Sequence, residues 1–133
     1  MKHDDHYHEC TDITHGMNYR KVINKSWGYE VIHTNTPAYC MKTLHLFPDQ
    51  ETSLHYHLNK TETLYVSKGF VKIEYFIGNE ENIRIVYLKE GSSFTVIPEL
   101  KHKILNLNTS EAVIVEASTF DSKTDSYRTE YSE

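Results

Sequence analysis

Beyond Lys21 the chain places apolar and polar residues in short alternating runs rich in Val, Ile, Tyr and Thr, broken by turn residues roughly every 8 to 12 positions. This rhythm predicts strands near 28–34, 38–47, 52–57, 62–67, 69–77, 82–88, 93–97, 101–107 and 111–119. Pro48-Asp49, Ser67-Lys68-Gly69, Gly78-Asn79, Glu90-Gly91 and Asn108-Thr109-Ser110 mark the turns. No window of useful length keeps apolar residues at a 3.6 period, so little helix is expected. That many short strands must each bury one face, which predicts an all-β domain, either a sandwich or a barrel of jelly-roll type. Side chains at i and i+2 share a face. Val71, Ile73 and Tyr75 therefore form one row, while Phe70, Lys72, Glu74 and Phe76 form another that should meet solvent or a partner.

The first 16 residues break the pattern, carrying His3, His6, His8 and His15 among polar and acidic neighbours with almost no apolar periodicity. They are expected to form a flexible His-rich leader (1–16) to a single domain (17–133), and 133 residues suffice for one core and not two. The 14 basic residues are scattered and the net charge is -5, so nothing offers the basic stripe that nucleic-acid phosphates require. No apolar run approaches the ~20 residues of a membrane span, and Met1-Lys2-His3-Asp4-Asp5 lacks a secretory apolar stretch. A cytoplasmic protein with no membrane partner is expected. Cys10 and Cys40 should remain thiols there, and Cys40, in the apolar stretch Ala38-Tyr39-Cys40-Met41, is expected to be buried and inert.

His55-Tyr56-His57 sets two imidazoles on one face of a strand, about 7 Å apart along the backbone, so both can reach a common point. Glu62 opens the next strand and His102 lies on a later one. Three imidazoles and one carboxylate form a mixed nitrogen and oxygen set suited to a divalent transition metal, with coordination positions left open for water or substrate.

These residues carry a resemblance. The segment from Asp49 to Gly69 resembles the first cupin motif, Gly-x5-His-x-His-x4-Glu-x6-Gly, with His55, His57, Glu62 and Gly69 in place and Asp49 standing for the opening Gly. Gly91, His102 and Asn106 keep the offsets of the second motif, Gly-x5-Pro-x-Gly-x2-His-x3-Asn. There Pro98 lies one place late and Glu99 replaces a Gly, which implies a reshaped turn before His102. The resemblance implies a single cupin barrel holding Zn, Fe, Mn or Ni on His55, His57, Glu62 and His102.

More loosely, Trp27-Gly28-Tyr29-Glu30, Tyr39-Cys40-Met41-Lys42, the segment Thr52 to His57 and Asp125-Ser126-Tyr127-Arg128 are similar to small cupins like the C-terminal domain of type II mannose-6-phosphate isomerases. That resemblance implies a metal-dependent isomerase or epimerase acting on a sugar or sugar phosphate. The base or phosphate contact would come from Lys42, His45, Tyr75 or Lys103. An Fe(II)-dependent dioxygenase and a non-catalytic carbohydrate-binding or sensor protein are the alternatives. A homodimer is also expected, through the aromatic stretch Tyr19 to Val31, through the face carrying Phe70 and Phe76, or not at all through this stretch if Trp27 folds back onto its own barrel.

Overall fold

The computed structural model describes residues 20–78, 81–122 and 124–128. Every regular element among them is a strand: β1 (Lys21–Lys25), β2 (Gly28–Asn35), β3 (Cys40–Leu46), β4 (His55–Tyr56), β5 (Glu62–Lys68), β6 (Val71–Phe76), β7 (Arg84–Leu88), β8 (Ser93–Val96), β9 (Lys101–Asn106), β10 (Ala112–Ser118) and β11 (Tyr127–Arg128). They form a six-stranded sheet in the order β1-β2-β3-β10-β5-β8 and a five-stranded sheet in the order β11-β4-β9-β6-β7. All pairings are antiparallel. The expected jelly-roll barrel is the architecture found.

The alternating pattern decides which side chains enter the space between the sheets. From the six-stranded sheet come Leu44 and Leu46 of β3, Leu64 and Val66 of β5, and Ala112 and Ile114 of β10; Val71, Ile73 and Ile104 come from the other sheet. Burying a side chain of this size contributes about 1.5–3 kcal/mol, so this row-on-row contact is the main term holding the barrel closed. Lys72 and Glu74 point outward and pair at 3.0 Å, as their row predicts. Asn106 ties the apolar end shut: its Nδ2 donates to the carbonyls of Leu46, Phe47 and Ser110 at 3.1, 3.1 and 2.9 Å.

Three departures from the sequence pattern matter. The strand expected over 52–57 is only His55–Tyr56, because Thr52 bonds across to Ile104 through both its N–H and its hydroxyl before the chain leaves β9 and rejoins it at His55. The short edge strands β1 and β11 were not foreseen. Trp27, in the tight β1–β2 turn, folds back into its own core at 8% exposure, so its indole is not an exposed interface centre. Gly28 makes this hairpin possible: at φ 151°, any Cβ there would overlap the His45 carbonyl on β3.

The two motif positions that lack glycine keep a glycine-like backbone. Asp49 has φ 61° and Glu99 has φ 73°, the only non-glycine residues with positive φ among those described. The turn before His102 is therefore accomplished by forcing Glu99 into the left-handed region, where its N–H donates to the His57 carbonyl at 2.6 Å. The leader expected over 1–16, with Cys10, lies outside the described residues. Cys40 is a free thiol, 1% exposed, and burial pushes its pKa up to about 11.

Candidate metal centre

Strand register brings the three histidines together. His55 on β4 is directly opposite His102 on β9, and opposite residues of an antiparallel pair share a face. His57, two residues after His55, keeps the same parity. One ring nitrogen from each of His55, His57 and His102 lies within 4.8 Å of the other two, a group that could hold a metal ion.

Each imidazole is oriented from behind by a carbonyl oxygen. Nδ1 of His55 faces Ser53 O at 2.8 Å, Nδ1 of His57 faces Asp125 O at 2.6 Å and Nδ1 of His102 faces Leu100 O at 2.9 Å. A carbonyl only accepts, so each Nδ1 carries the hydrogen and each Nε2 turns a lone pair toward the common point. Burial, reinforced by His102, lowers the His55 pKa to about 3; burial and Lys60 lower that of His57. Neutral imidazole is the form that ligates.

Glu62 completes the constellation. Its Oε2 lies 3.3 Å from His102 Nε2 and 3.6 Å from His57 Nε2. The residue is 3% exposed, and this oxygen has no hydrogen bond among the described residues. Burial opposes its ionisation, but the Lys60 ammonium outweighs burial and holds the carboxyl well below the usual range. An ionised, buried oxygen facing lone pairs is costly unless a cation lies between them. This donor set fits a divalent transition metal.

A second layer of ionised groups adjoins the histidines. Lys60 Nζ lies 2.7 Å from Glu116, 3.1 Å from Asp121 and 3.6 Å from Glu62; Lys42 Nζ lies 3.0 Å from Asp121 and 3.2 Å from Glu30. Burial opposes the charge on both lysines, yet Glu116 and the other carboxylates raise both pKa values. Burial and the charge of Glu62 push Glu116 up to about 7. Asn35 fixes Asp121 through two 3.0 Å hydrogen bonds to its backbone. Asp125 braces the ligand loop: beyond accepting from His57, its carboxylate accepts from the N–H groups of Leu58 and Asn59 at 2.8 and 3.0 Å.

These groups line one cavity of about 370 Å³. His55 and His102 line it from the five-stranded sheet, Lys42, Glu62 and Glu116 from the six-stranded sheet, and His57, Lys60, Asp121, Leu44, Leu64 and Ile104 line it as well. Of the four candidates for base or phosphate contact, only Lys42 lines it. His45 sits three residues along the same strand and so has the outward parity, where it stacks on Tyr29 at 4.4 Å and pairs with Glu111 at 3.1 Å. Lys103, next to inward-facing His102, likewise points out, to Glu51 at 3.1 Å and Glu74 at 3.7 Å. Tyr75 points inward but packs on Phe94 at 5.1 Å, against the core.

Lys60, Glu116, Asp121 and Asp125 were missed. Glu116 was legible: in Ala112, Ile114, Glu116 a carboxylate occupies an apolar row at period two. Lys60 shares the i, i+2 parity of Glu62. Asp125 opens the segment Asp125-Ser126-Tyr127-Arg128 that carries the looser resemblance, which gave it no role; no local pattern marks Asp121, and the contacts of both reach back 61 to 86 residues in sequence.

Residues 29–130 match the family described as Cupin, and the chain belongs to that family. No curated protein sequence matches. Among solved structures, the chain is similar to the capsular polysaccharide assembling protein CapF from Staphylococcus aureus, with a TM-score of 0.76 and 18% identity over 83% of this chain and 34% of that one. It is also similar to oxalate decarboxylase OxdC of Bacillus subtilis, in its S161A mutant, with a TM-score of 0.70 and 18% identity over 81% of this chain and 29% of that one. An oxalate oxidase in complex with glycolate has a TM-score of 0.58 and 20% identity over 62% of this chain and 42% of that one. The chain thus spans less than half the length of these proteins. No helix among the described residues is long and apolar enough to cross a membrane.

Proposed function

We propose that this cupin holds one divalent transition metal on His55, His57, Glu62 and His102 and catalyses proton transfer on a small polyhydroxylated substrate, a sugar or sugar phosphate, in an isomerase- or epimerase-like reaction. The observation that carries the proposal is Glu62: an ionised carboxylate 3% exposed, with an oxygen that has no hydrogen bond among the described residues and lies 3.3 and 3.6 Å from two imidazole nitrogens. A bound metal would supply electrophilic polarisation of carbonyl and hydroxyl oxygens.

The chain's own residues do the rest. Backbone carbonyls at Ser53, Leu100 and Asp125 lock the imidazoles in their ligating tautomer. Lys60 and Glu116, 2.7 Å apart in the same cavity, are positioned to hold a proton and return it, with Lys42 beside them. The apolar lining of Leu44, Leu64 and Ile104 limits water there. The resemblance to mannose-6-phosphate isomerase-like cupins supports the sugar-phosphate version. The similar oxalate oxidase, which is in complex with glycolate, favours a second version, an Fe(II)-dependent dioxygenase acting on a small hydroxy acid, with the same four residues holding the metal.

Metal analysis of the purified protein, then incubation with aldose and ketose phosphates in deuterated water, tests the proposal. Isomerisation with deuterium entering a carbon position supports it. Conversion that needs oxygen moves the reaction to the second version, and saturable binding with every sugar recovered unchanged leaves a binding protein. A homodimer remains part of the proposal, with the contact placed away from Trp27; light scattering checks it, since a species near 15.6 kDa would be the monomer.

A further inference from the structure

The loop that carries His57 is held by hydrogen bonds more than by packing. It joins β4 to β5, and its apolar side chain, Leu58, is 44% exposed. The segment that follows β10 runs antiparallel beside this loop and meets it residue after residue. The Thr61 N–H donates to Thr119 Oγ1 at 3.1 Å, and the Thr119 N–H donates to the Thr61 carbonyl at 3.0 Å. Lys60 donates to the Asp121 carboxylate at 3.1 Å. The N–H groups of Asn59 and Leu58 donate to the two oxygens of the Asp125 carboxylate at 3.0 and 2.8 Å, and His57 Nδ1 donates to the Asp125 carbonyl at 2.6 Å. The series ends where β11 pairs with β4, with Tyr127 opposite Tyr56 and Arg128 opposite His55. One strap of chain thus accompanies the whole path from one metal ligand, His55, past His57 to the threshold of another, Glu62.

We propose that Asp125 is a positioning residue of the metal centre, and that docking of the strap, residues 119–122 and 124–128, is coupled to metal binding. The metal in this assignment rests on the function proposed above; the contacts of the strap do not. Asp125 is 6% exposed between exposed Thr124 and Ser126, which marks it as the anchor. Its backbone oxygen sets the His57 tautomer, while its carboxylate clamps the two residues after His57, so acceptor and imidazole are fixed in one frame. A short polar segment that buries little apolar surface opens at lower free energy than the strands of the core. When the strap lifts, His57 loses the acceptor behind Nδ1 and with it the preference for the ligating tautomer. His55 and His102 take their acceptors from Ser53 and Leu100, outside the strap, so the site weakens and is not abolished. By linkage, the factor by which docking raises metal affinity equals the factor by which metal favours the docked strap.

Zn²⁺ affinity, measured by competition with a chelator on wild type, Asp125→Asn, Asp125→Ala and Ile114→Ala, tests the positioning role. Asp125→Ala should bind Zn²⁺ about ten- to a hundredfold more weakly than wild type. Asp125→Asn keeps one of the two acceptor oxygens and should fall between them. Ile114→Ala, destabilised in the apolar core, should keep the wild-type affinity, which separates positioning from a general loss of stability. Equal affinity in wild type and Asp125→Ala overturns the positioning role and leaves the metal centre standing, and so does an equal loss in Ile114→Ala. Amide hydrogen exchange on wild type tests the coupling with no substitution at all. The N–H groups of Leu58, Asn59, Thr61 and Thr119, which donate between loop and strap, should exchange about tenfold or more slowly with Zn²⁺ bound than after chelation. The Gly91 N–H, bonded to the Val66 carbonyl in a turn at the apolar end, should exchange alike in both states. Loop and strap amides that ignore bound Zn²⁺ overturn the coupling, and this result decides the question even if Asp125→Ala fails to fold. Wild type that takes up no Zn²⁺ overturns the metal centre, and the coupling with it.

Discussion

The two halves of the barrel interior are built by the same strands and behave as different materials. On β3 the inward row runs Leu46, Leu44, Lys42; on β5, Val66, Leu64, Glu62; on β9, Ile104, His102; on β10, Ala112, Ile114, Glu116. One inward step, about 6.6 Å along a strand, converts hydrocarbon into charge on β3, β5 and β10 and into an imidazole on β9. The register aligns the change on β3 and β10, where Glu116 is opposite Lys42, and staggers it by one step on β5, where Glu116 is opposite Leu64 and Glu62 is opposite Ser118. The apolar half gains stability from each side chain almost independently. The ionised half is stable only as a set, since each buried charge depends on a partner.

The largest effect should therefore come from taking one charge out of the set. Lys60→Met leaves Glu116 and Glu62 buried without their shared cation and should cost about 3–5 kcal/mol in urea unfolding. The double change Lys60→Met with Glu116→Leu should recover much of that loss. If the single change is as stable as wild type, the ionised half is not an interdependent set. Ile114→Ala, one step along β10, should cost a comparable or smaller amount, about 2–5 kcal/mol, through a cavity, while the melting response to added metal survives. Loss of that response on cutting the hydrocarbon half would erase the distinction between the halves.

Metal removal sharpens the comparison further. A ligand that binds only the folded chain stabilises it by mass action, about 2.7 kcal/mol at a hundredfold excess over Kd. Chelation should lower the melting temperature of wild type but not of His57→Ala, which should remain folded because the apolar rows do not touch that residue. In the metal-free protein, His55 has a folded-state pKa of about 3, below its ordinary 6.5, and His57 is also lowered. The unfolded chain then binds more protons between those values, so stability falls as pH drops below 6.5 and the His55 contribution is exhausted near pH 3. A metal-free melting temperature flat from pH 7 to pH 4 would show that these imidazoles are not buried as neutral groups.

The halves also differ in how far the sequence announced them. Period-two alternation exposed the hydrocarbon rows and the His55–His57 pair, because both depend on local spacing along one strand, and the motif offsets added Glu62 and His102 from other strands. The charged groups around them depend on long-range contact. Asp121 reaches Lys60 and Asn35 only after the chain has closed the sheet, and Asp125 braces His57 from 68 residues away. His45 and Lys103 show the converse, where a chemically attractive residue lies on the wrong parity of a correctly predicted strand. The strand over 52–57 shrank to two residues because Thr52 bonds β9 before the ligands do, a contact no pattern in 52–57 encodes.

The smallest expected effects lie in the two left-handed turns, one at each end of the interior. Asp49 follows β3 beyond the apolar end, and Glu99 precedes β9 at the ionised end, where its N–H holds the His57 carbonyl at 2.6 Å. A non-glycine residue in this conformation costs about 1–2 kcal/mol, and glycine would relieve it. Glycine also adds freedom to the unfolded chain, which removes about 0.4–1 kcal/mol of the gain. Asp49→Gly and Glu99→Gly should each change stability by about 0–1.6 kcal/mol, toward greater stability. The hydrogen bond at Glu99 is a backbone one and survives the substitution, so the position of His57 should not move. Metal affinity, measured by competition with a chelator, should therefore equal wild type in both variants. A Glu99→Gly protein that gains stability but loses metal affinity would show that the strained turn, rather than the Nδ1 hydrogen bonds, sets the aim of His57, and that strain at the ionised end serves the site in a way that strain at Asp49 does not.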